Sequence, residues 1–192
     1  MKLILSATDF GNPISAQFIK DNLDKPIGDC KVLYFPNEKA TEERIKSDMY
    51  YDRLNAFGFQ KQNITVFNYY EPFGYDNLDI DAIYISGGNT FGTIKRIREA
   101  NADKLIIDYV NKGAVYIGGS AGAHIASADI SHVSRYDTNT HGVTDMSGFG
   151  LFKGILICHY NDDRAEHLNE LKANSSFEVV PLKDGENIVV KD

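Results

Sequence analysis

The feature that most constrains the fold is a repeated order: a short apolar run, a turn, then an amphipathic stretch. Leu3 to Ala7 is apolar and ends in the turn cluster Thr8-Asp9-Phe10-Gly11-Asn12-Pro13. Val32 to Phe35 repeats the pattern and is closed by Pro36; Ile64 to Phe67, Ala82 to Ser86, Ala114 to Ile117 and Leu156 to Cys158 follow. Runs this short, bounded by turn residues, predict buried strands. Between them, Ile14, Phe18, Ile19 and Leu23 recur at helical spacing. A charged helix is predicted over Thr41 to Phe57 with Thr41 as N-cap. Further helices are predicted over Phe91 to Ala100, Ala102 to Asn111 and Arg164 to Lys172, and Gly113 suits a helix stop. Phe177 to Pro181 and Asn187 to Val190 predict a terminal β-hairpin around Lys183-Asp184-Gly185-Glu186. Residues 127 to 150 are polar and weakly periodic, the signature of a long active-site loop or irregular strands.

Buried strands alternating with helices imply an α/β fold: a mostly parallel central sheet with helices on both faces. In such sheets the ligand sits beyond the carboxyl ends of the strands. Attention therefore falls on the loops after Ser86, Ile117 and Cys158. At 192 residues the chain is expected to form one domain over 1–192, with a core that needs no disulfide or metal staple.

Charge narrows the partners. A net charge of −7 without a basic run argues against a nucleic-acid groove or an anionic membrane surface. The two cysteines, Cys30 and Cys158, have no CxxC or Cys/His spacing and suit a reducing compartment. The first residues are apolar for too short a stretch to be a signal peptide, and no run approaches a membrane span. The expectation is a cytoplasmic protein, monomer or homodimer.

Gly118-Gly119-Ser120-Ala121-Gly122 fits the G-x-S-x-G turn, with an apolar strand before it and a helix-compatible segment after it. A strand that reverses sharply into a helix needs small neighbours, and it exposes the serine at its tip. The following N–H, from Ala121, lies at a helix start and can bind an oxyanion. The same residues could instead form a tight turn or a phosphate loop, but no Walker-type Gly-Lys-Ser/Thr or G-x-G-x-x-G accompanies them. Gly87-Gly88-Asn89-Thr90 is a second Gly-rich loop. It could bring N–H groups and Asn89 to a substrate, or be an ordinary turn with Asn89 as helix cap.

A serine nucleophile needs a base. His124 lies inside the helix after Ser120 and is expected to point away. His167 is expected on a solvated helix face, and His132 and His141 fall in the polar loop. His159 follows an apolar strand at the same end of the sheet as Ser120 and is the expected base. The acid that orients it is either Asp137, in the polar loop, or Asp184, at the terminal turn. A metal site from His124, His132 and His141 with Asp129 or Asp137 is disfavoured, since no H-E-x-x-H or comparable pattern exists.

Three segments together, Ile85-Ser86-Gly87-Gly88-Asn89-Thr90, Gly118-Gly119-Ser120-Ala121-Gly122-Ala123 and Cys158-His159-Tyr160, resemble the dipeptidase E (aspartyl dipeptidase) family of serine peptidases, with cyanophycinases as more distant cousins. The resemblance runs over most of the chain. It implies a flavodoxin-like three-layer sandwich, with Ser120 as nucleophile, His159 as base, and Gly88 and Ala121 as oxyanion donors. The acidic member maps onto Asp137 or Asp184, with Asp184 slightly ahead. Arg164 is the implied match for the arginine that recognises an acidic side chain. The activity implied is hydrolysis of small peptides, including dipeptides with N-terminal aspartate, through an acyl-enzyme and without a cofactor. The competing readings are an amide or ester hydrolase that is not a peptidase, and a non-catalytic binder of small ligands.

Overall fold

The apolar runs do form strands, and their residue alternation decides which helices cover which face. A computed structural model describes residues 1–191. The strands are β1 (Lys2–Ser6), β2 (Val32–Phe35), β3 (Ile64–Val66), β4 (Ala82–Ile85), β5 (Val115–Gly119), β6 (Ile155–Cys158), β7 (Val179–Leu182) and β8 (Asn187–Lys191). The helices are α1 (Pro13–Asn22), α2 (Glu42–Lys46), α3 (Met49–Phe57), α4 (Thr90–Glu99), α5 (Ala102–Asn111), α6 (Ala121–Ala126) and α7 (Ala165–Asn174). Six strands form one sheet in the order β3-β2-β4-β5-β1-β8. β1 to β5 run parallel, and β8 joins β1 antiparallel.

Alternate residues of each strand point to opposite faces. Leu5, Leu33, Ile83 and Tyr116 pack with Ile97 of α4, Ile106 of α5 and Ala123 of α6. Ile4, Tyr34, Tyr84 and Ile117 pack with Ile19 of α1, Ile45 of α2 and Leu54 of α3. The result is three layers, helix on sheet on helix. Full burial of each such aliphatic side chain contributes roughly 1.5–3 kcal/mol before entropy is counted. Among the described residues no helix is long and apolar enough to cross a membrane.

Three local expectations change. The helix over Thr41 to Phe57 is two helices, broken at Ser47 and Asp48. Thr41 does cap α2, accepting from the Arg44 N–H at 3.3 Å. Ser47 is extended (φ −87°, ψ 168°) and its hydroxyl donates to the Arg44 carbonyl at 2.8 Å. A serine that bonds a nearby carbonyl competes with the helical ladder. The terminal hairpin is a correction: the turn at 183–186 forms, but the strands around it do not pair with each other. β7 lies parallel to β6 in a separate two-stranded sheet, while β8 crosses to the edge of β1. Each strand satisfies an open sheet edge elsewhere, so the turn bridges two sheets. Finally, the polar segment carries a short 3-10 turn over Ser131–Arg135 and an isolated bridge between Asp129 and Ser147.

Candidate active site

The carboxyl ends of three neighbouring strands, β4, β5 and β1, open onto one cleft of about 520 Å³. Ser120 lines it, between β5 and α6. Its backbone is left-handed in φ (φ 48°, ψ −106°), a conformation that costs on the order of 1–3 kcal/mol and persists only where surrounding structure enforces it. That enforcement is visible. The Ser120 N–H donates to the Ser6 carbonyl at 2.9 Å, and the Ser120 carbonyl accepts from Ala123 and His124 at 3.0 and 2.9 Å. A Cβ on Gly122 would collide with the Ile85 carbonyl, so the sharp reversal requires glycine there.

His159 and Asp184 arrive from the second sheet. The parallel register sets Cys158 beside Leu182, and the Tyr160 N–H donates to the Leu182 carbonyl at 2.9 Å. One strand end thus delivers His159, with φ 54°, and the other delivers Asp184 on a turn where Gly185 takes φ 86°. The Ser120 Oγ lies 2.9 Å from His159 Nε2. On the other side of the ring, His159 Nδ1 lies 2.6 Å from Asp184 Oδ1. A proton on Nδ1 donating to Asp184 leaves Nε2 free to accept from the serine hydroxyl. The side chains of His159 and Asp184 are 39% and 64% exposed.

The other expected residues fall as follows. Asp137 is not on the imidazole: its Oδ2 accepts from the Thr90 N–H at 2.7 Å, at the start of α4. Asn89 caps α4, its side chain accepting from the Gly92 N–H at 2.9 Å and donating to the Thr138 carbonyl at 3.1 Å. Arg164 is absent from the cleft lining. Its guanidinium donates to the Cys158 carbonyl and stacks 3.7 Å from the Tyr136 ring. The loop carrying Gly88 borders Ser120, since a Cβ on Gly87 would touch Ser120 Cβ at 3.3 Å. Neither the Gly88 nor the Ala121 N–H has a protein acceptor among the described residues.

Three other histidines form a buried row. His124 and His132 ring centroids are 5.8 Å apart, and those of His132 and His167 are 5.9 Å apart. His124 accepts from the Cys158 N–H at 3.3 Å. His132 Nε2 bonds the Leu156 carbonyl at 2.7 Å, and its Nδ1 has no partner. Burial pushes all three below the usual histidine range, His167 to about 4. His167 was expected on a solvated face; it is buried instead and bonds the Tyr136 hydroxyl. Burial raises the Cys158 thiol to about 12, and its Sγ lies 3.8 Å from the Ser120 carbonyl.

Two charged cleft residues escaped the sequence reading. Asp9 follows β1, and Arg53 reaches in from α3. The strand-end rule, applied to β1, points at Asp9. Nothing in the local sequence distinguishes Arg53 from an ordinary surface arginine.

Fold and cleft define the class: a doubly wound α/β protein with a hydrolase-like serine, histidine and carboxylate cluster at its strand ends. Within that class the chain belongs to peptidase family S51, whose model matches residues 3–192. It is 31% identical over 117 residues to the uncharacterized peptidase Lin0382 of Listeria innocua, a match covering 58% of this chain and 56% of that one. It is 41% identical over 85 residues to peptidase E of Salmonella arizonae, covering 43% of this chain and 35% of that one. The matched stretch therefore spans about half or less of these curated relatives. The fold is also that of a peptidase from an acI-B1 Actinobacterium, with a TM-score of 0.64 at 18% identity over 99% of this chain and 83% of that one. A Listeria monocytogenes structure, a candidate peptidase E, superposes with a TM-score of 0.70 at 20% identity over 98% of this chain and 93% of that one.

Proposed function

We propose that this chain is a serine-type peptidase for small peptides, with Ser120 as nucleophile, His159 as general base and acid, and Asp184 as the group that orients the imidazole. The observation that carries the reading is the continuous chain from Ser120 Oγ to His159 Nε2 at 2.9 Å and from His159 Nδ1 to Asp184 at 2.6 Å.

Ser120 Oγ attacks the scissile carbonyl as its proton passes to His159 Nε2. The N–H groups of Gly88 and Ala121 receive the oxyanion. Collapse breaks the C–N bond, His159 protonates the departing amine, and an acyl-Ser120 ester remains. Water, deprotonated by His159, hydrolyses that ester and returns the proton to Ser120. Asp137, committed to the α4 N-terminus, takes no part in this cycle.

The narrower reading is cleavage of dipeptides with N-terminal aspartate. Its test is hydrolysis of aspartyl-p-nitroanilide beside leucyl-p-nitroanilide, with Ser120→Ala as control. Cleavage of the aspartyl compound alone, lost in the variant, is the expected result. Cleavage of neither, with Ser120 still labelled by a fluorophosphonate, contradicts the aspartyl specificity and favours another amide or ester. No labelling at all contradicts the serine mechanism.

A further inference from the structure

We propose that Asp9 and Arg53 are the two charged docking points of the cleft, with Asp9 binding the free ammonium and Arg53 a carboxylate of a small zwitterionic peptide. Their alignment relative to the scissile bond rests on the serine-peptidase reading above.

Asp9 is built into the cleft rather than lying on its rim. It is 7% exposed, with a left-handed φ of 43°. Its carboxylate accepts from the Gly11 N–H at 3.1 Å, the Tyr84 hydroxyl at 3.0 Å and the Gly87 N–H at 3.4 Å. Burial, then the charge of Asp9, hold the Tyr84 phenol well above its usual range, so Tyr84 is the donor. A carboxylate has about four acceptor positions, so these three donors leave capacity for one more, and the residue lines the cleft. No lysine, arginine or histidine among the described residues is within ion-pair distance of it.

Placement gives that acid a meaning. Gly87 donates to Asp9 and lies against Ser120, so a carboxylate with no ion-pair partner sits close to where the proposed nucleophile would meet a substrate carbonyl. There it opposes the negative charge that develops on the oxyanion. A substrate whose α-carbon carries an ammonium cancels that opposition, because the cation lies one carbon from the carbonyl. A substrate with a blocked amine does not.

Arg53 supplies the complementary charge. It is the one lysine or arginine in the cleft lining. Its guanidinium lies 5.7 Å from the Phe57 ring centroid and has no carboxylate partner among the described residues. The other lining acid, Asp184, is held by His159. Arginine's planar fork suits a carboxylate. The carboxylate can come from an acidic side chain or from the C-terminus of a short peptide; the chemistry is the same and the experiment separates them.

The test is calorimetric binding to Ser120→Ala, which keeps the cleft and cannot hydrolyse. The probes are Asp-Ala, N-acetyl-Asp-Ala, Asn-Ala and Asp-Ala amide. Asp-Ala is expected to bind about tenfold or more tightly than its acetylated form, and adding Asp9→Asn is expected to erase that preference. Weaker binding of Asn-Ala assigns the carboxylate to the side chain, and weaker binding of the amide assigns it to the C-terminus. Arg53→Gln is expected to erase whichever preference is found. Equal binding of the free and acetylated peptides overturns the Asp9 role without needing any Asp9 variant to fold. Indifference to both carboxylate changes, or no binding of Asp-Ala, overturns the Arg53 role. If this binding pattern appears while the wild-type protein cleaves none of the probes, the serine-peptidase reading fails and the docking pair stands. If acetylated and free peptides are cleaved equally well, the reverse holds.

Discussion

Ser120 and His159, the proposed nucleophile and base, are held in opposite ways. Ser120 sits on a turn whose flanking residues Gly118, Gly119, Ala121 and Gly122 are all buried, with backbone bonds on both sides fixing a strained φ. His159 stands at the end of β6 and Asp184 on the surface turn between β7 and β8, and their side chains are 39% and 64% exposed. Ser120 is thus positioned by packing that the fold cannot relax. Asp184, in its proposed role, orients the imidazole through one hydrogen bond in competition with water. Damage to the first region is expected to be all-or-none, and damage to the second graded.

The largest effect is expected at Ser120 itself. Ser120→Ala should lower turnover by about 10⁴-fold or more, with the thermal midpoint nearly unchanged, since alanine keeps the same strained φ. A loss below tenfold, measured as kcat/KM, breaks the account of the elbow. Gly122→Ala is next and strikes the fold: its methyl meets the Ile85 backbone carbonyl, which no rotamer change can move. A destabilisation of roughly 1–3 kcal/mol or more is expected in urea unfolding, and a neutral result would show that the turn has slack.

Asp184→Asn sharpens the contrast. Because solvent reaches the pair, a fall of about 10–100-fold in kcat/KM is expected, smaller than for a buried triad acid, with stability unchanged. Asp137→Ala should do the opposite, removing a helix-cap interaction worth about 1 kcal/mol while leaving kcat/KM within about threefold. Exchanged phenotypes would reverse the assignment of the two acids.

The smallest effect concerns the buried histidine row. His124, His132 and His167 have folded-state values below the ordinary 6.5, His167 at about 4. The unfolded chain therefore binds more protons between those values, so stability is full above about 6.5 and is lost as pH falls toward 4. Urea midpoints measured from pH 7 to pH 4 should decline, and His167→Gln should flatten the decline. A profile that the substitution leaves unchanged would exclude His167 as a contributor.

Much of this was legible in the chain because apolar runs such as Val32 to Phe35 and Ala82 to Ile85 are too short for helices and are bounded by turn residues, the pattern of buried strands. The placement of Ser120 and His159 was legible for the same reason: each follows such a run at the carboxyl end of a strand, although β6 belongs to the second, two-stranded sheet. What failed was whatever depends on which edge a strand meets. Lys183-Asp184-Gly185-Glu186 reads as a hairpin turn because local chemistry specifies the turn and not the partner. The choice between Asp137 and Asp184 also waited on topology, since only the Cys158–Leu182 register brings a residue 25 positions away onto the imidazole. His167 looked solvated because its helix is charged; Tyr136, from a distant loop, covers it. Arg53 owes its place to how α3 packs, which no residue pattern records.

The most direct test is the rate and site of fluorophosphonate labelling, followed by peptide mass spectrometry, in the wild-type protein, Asp184→Asn and Asp137→Ala. The account predicts one adduct, on Ser120, formed markedly more slowly in Asp184→Asn and at the wild-type rate in Asp137→Ala. An adduct on another residue, no adduct, or slowing confined to Asp137→Ala would contradict it.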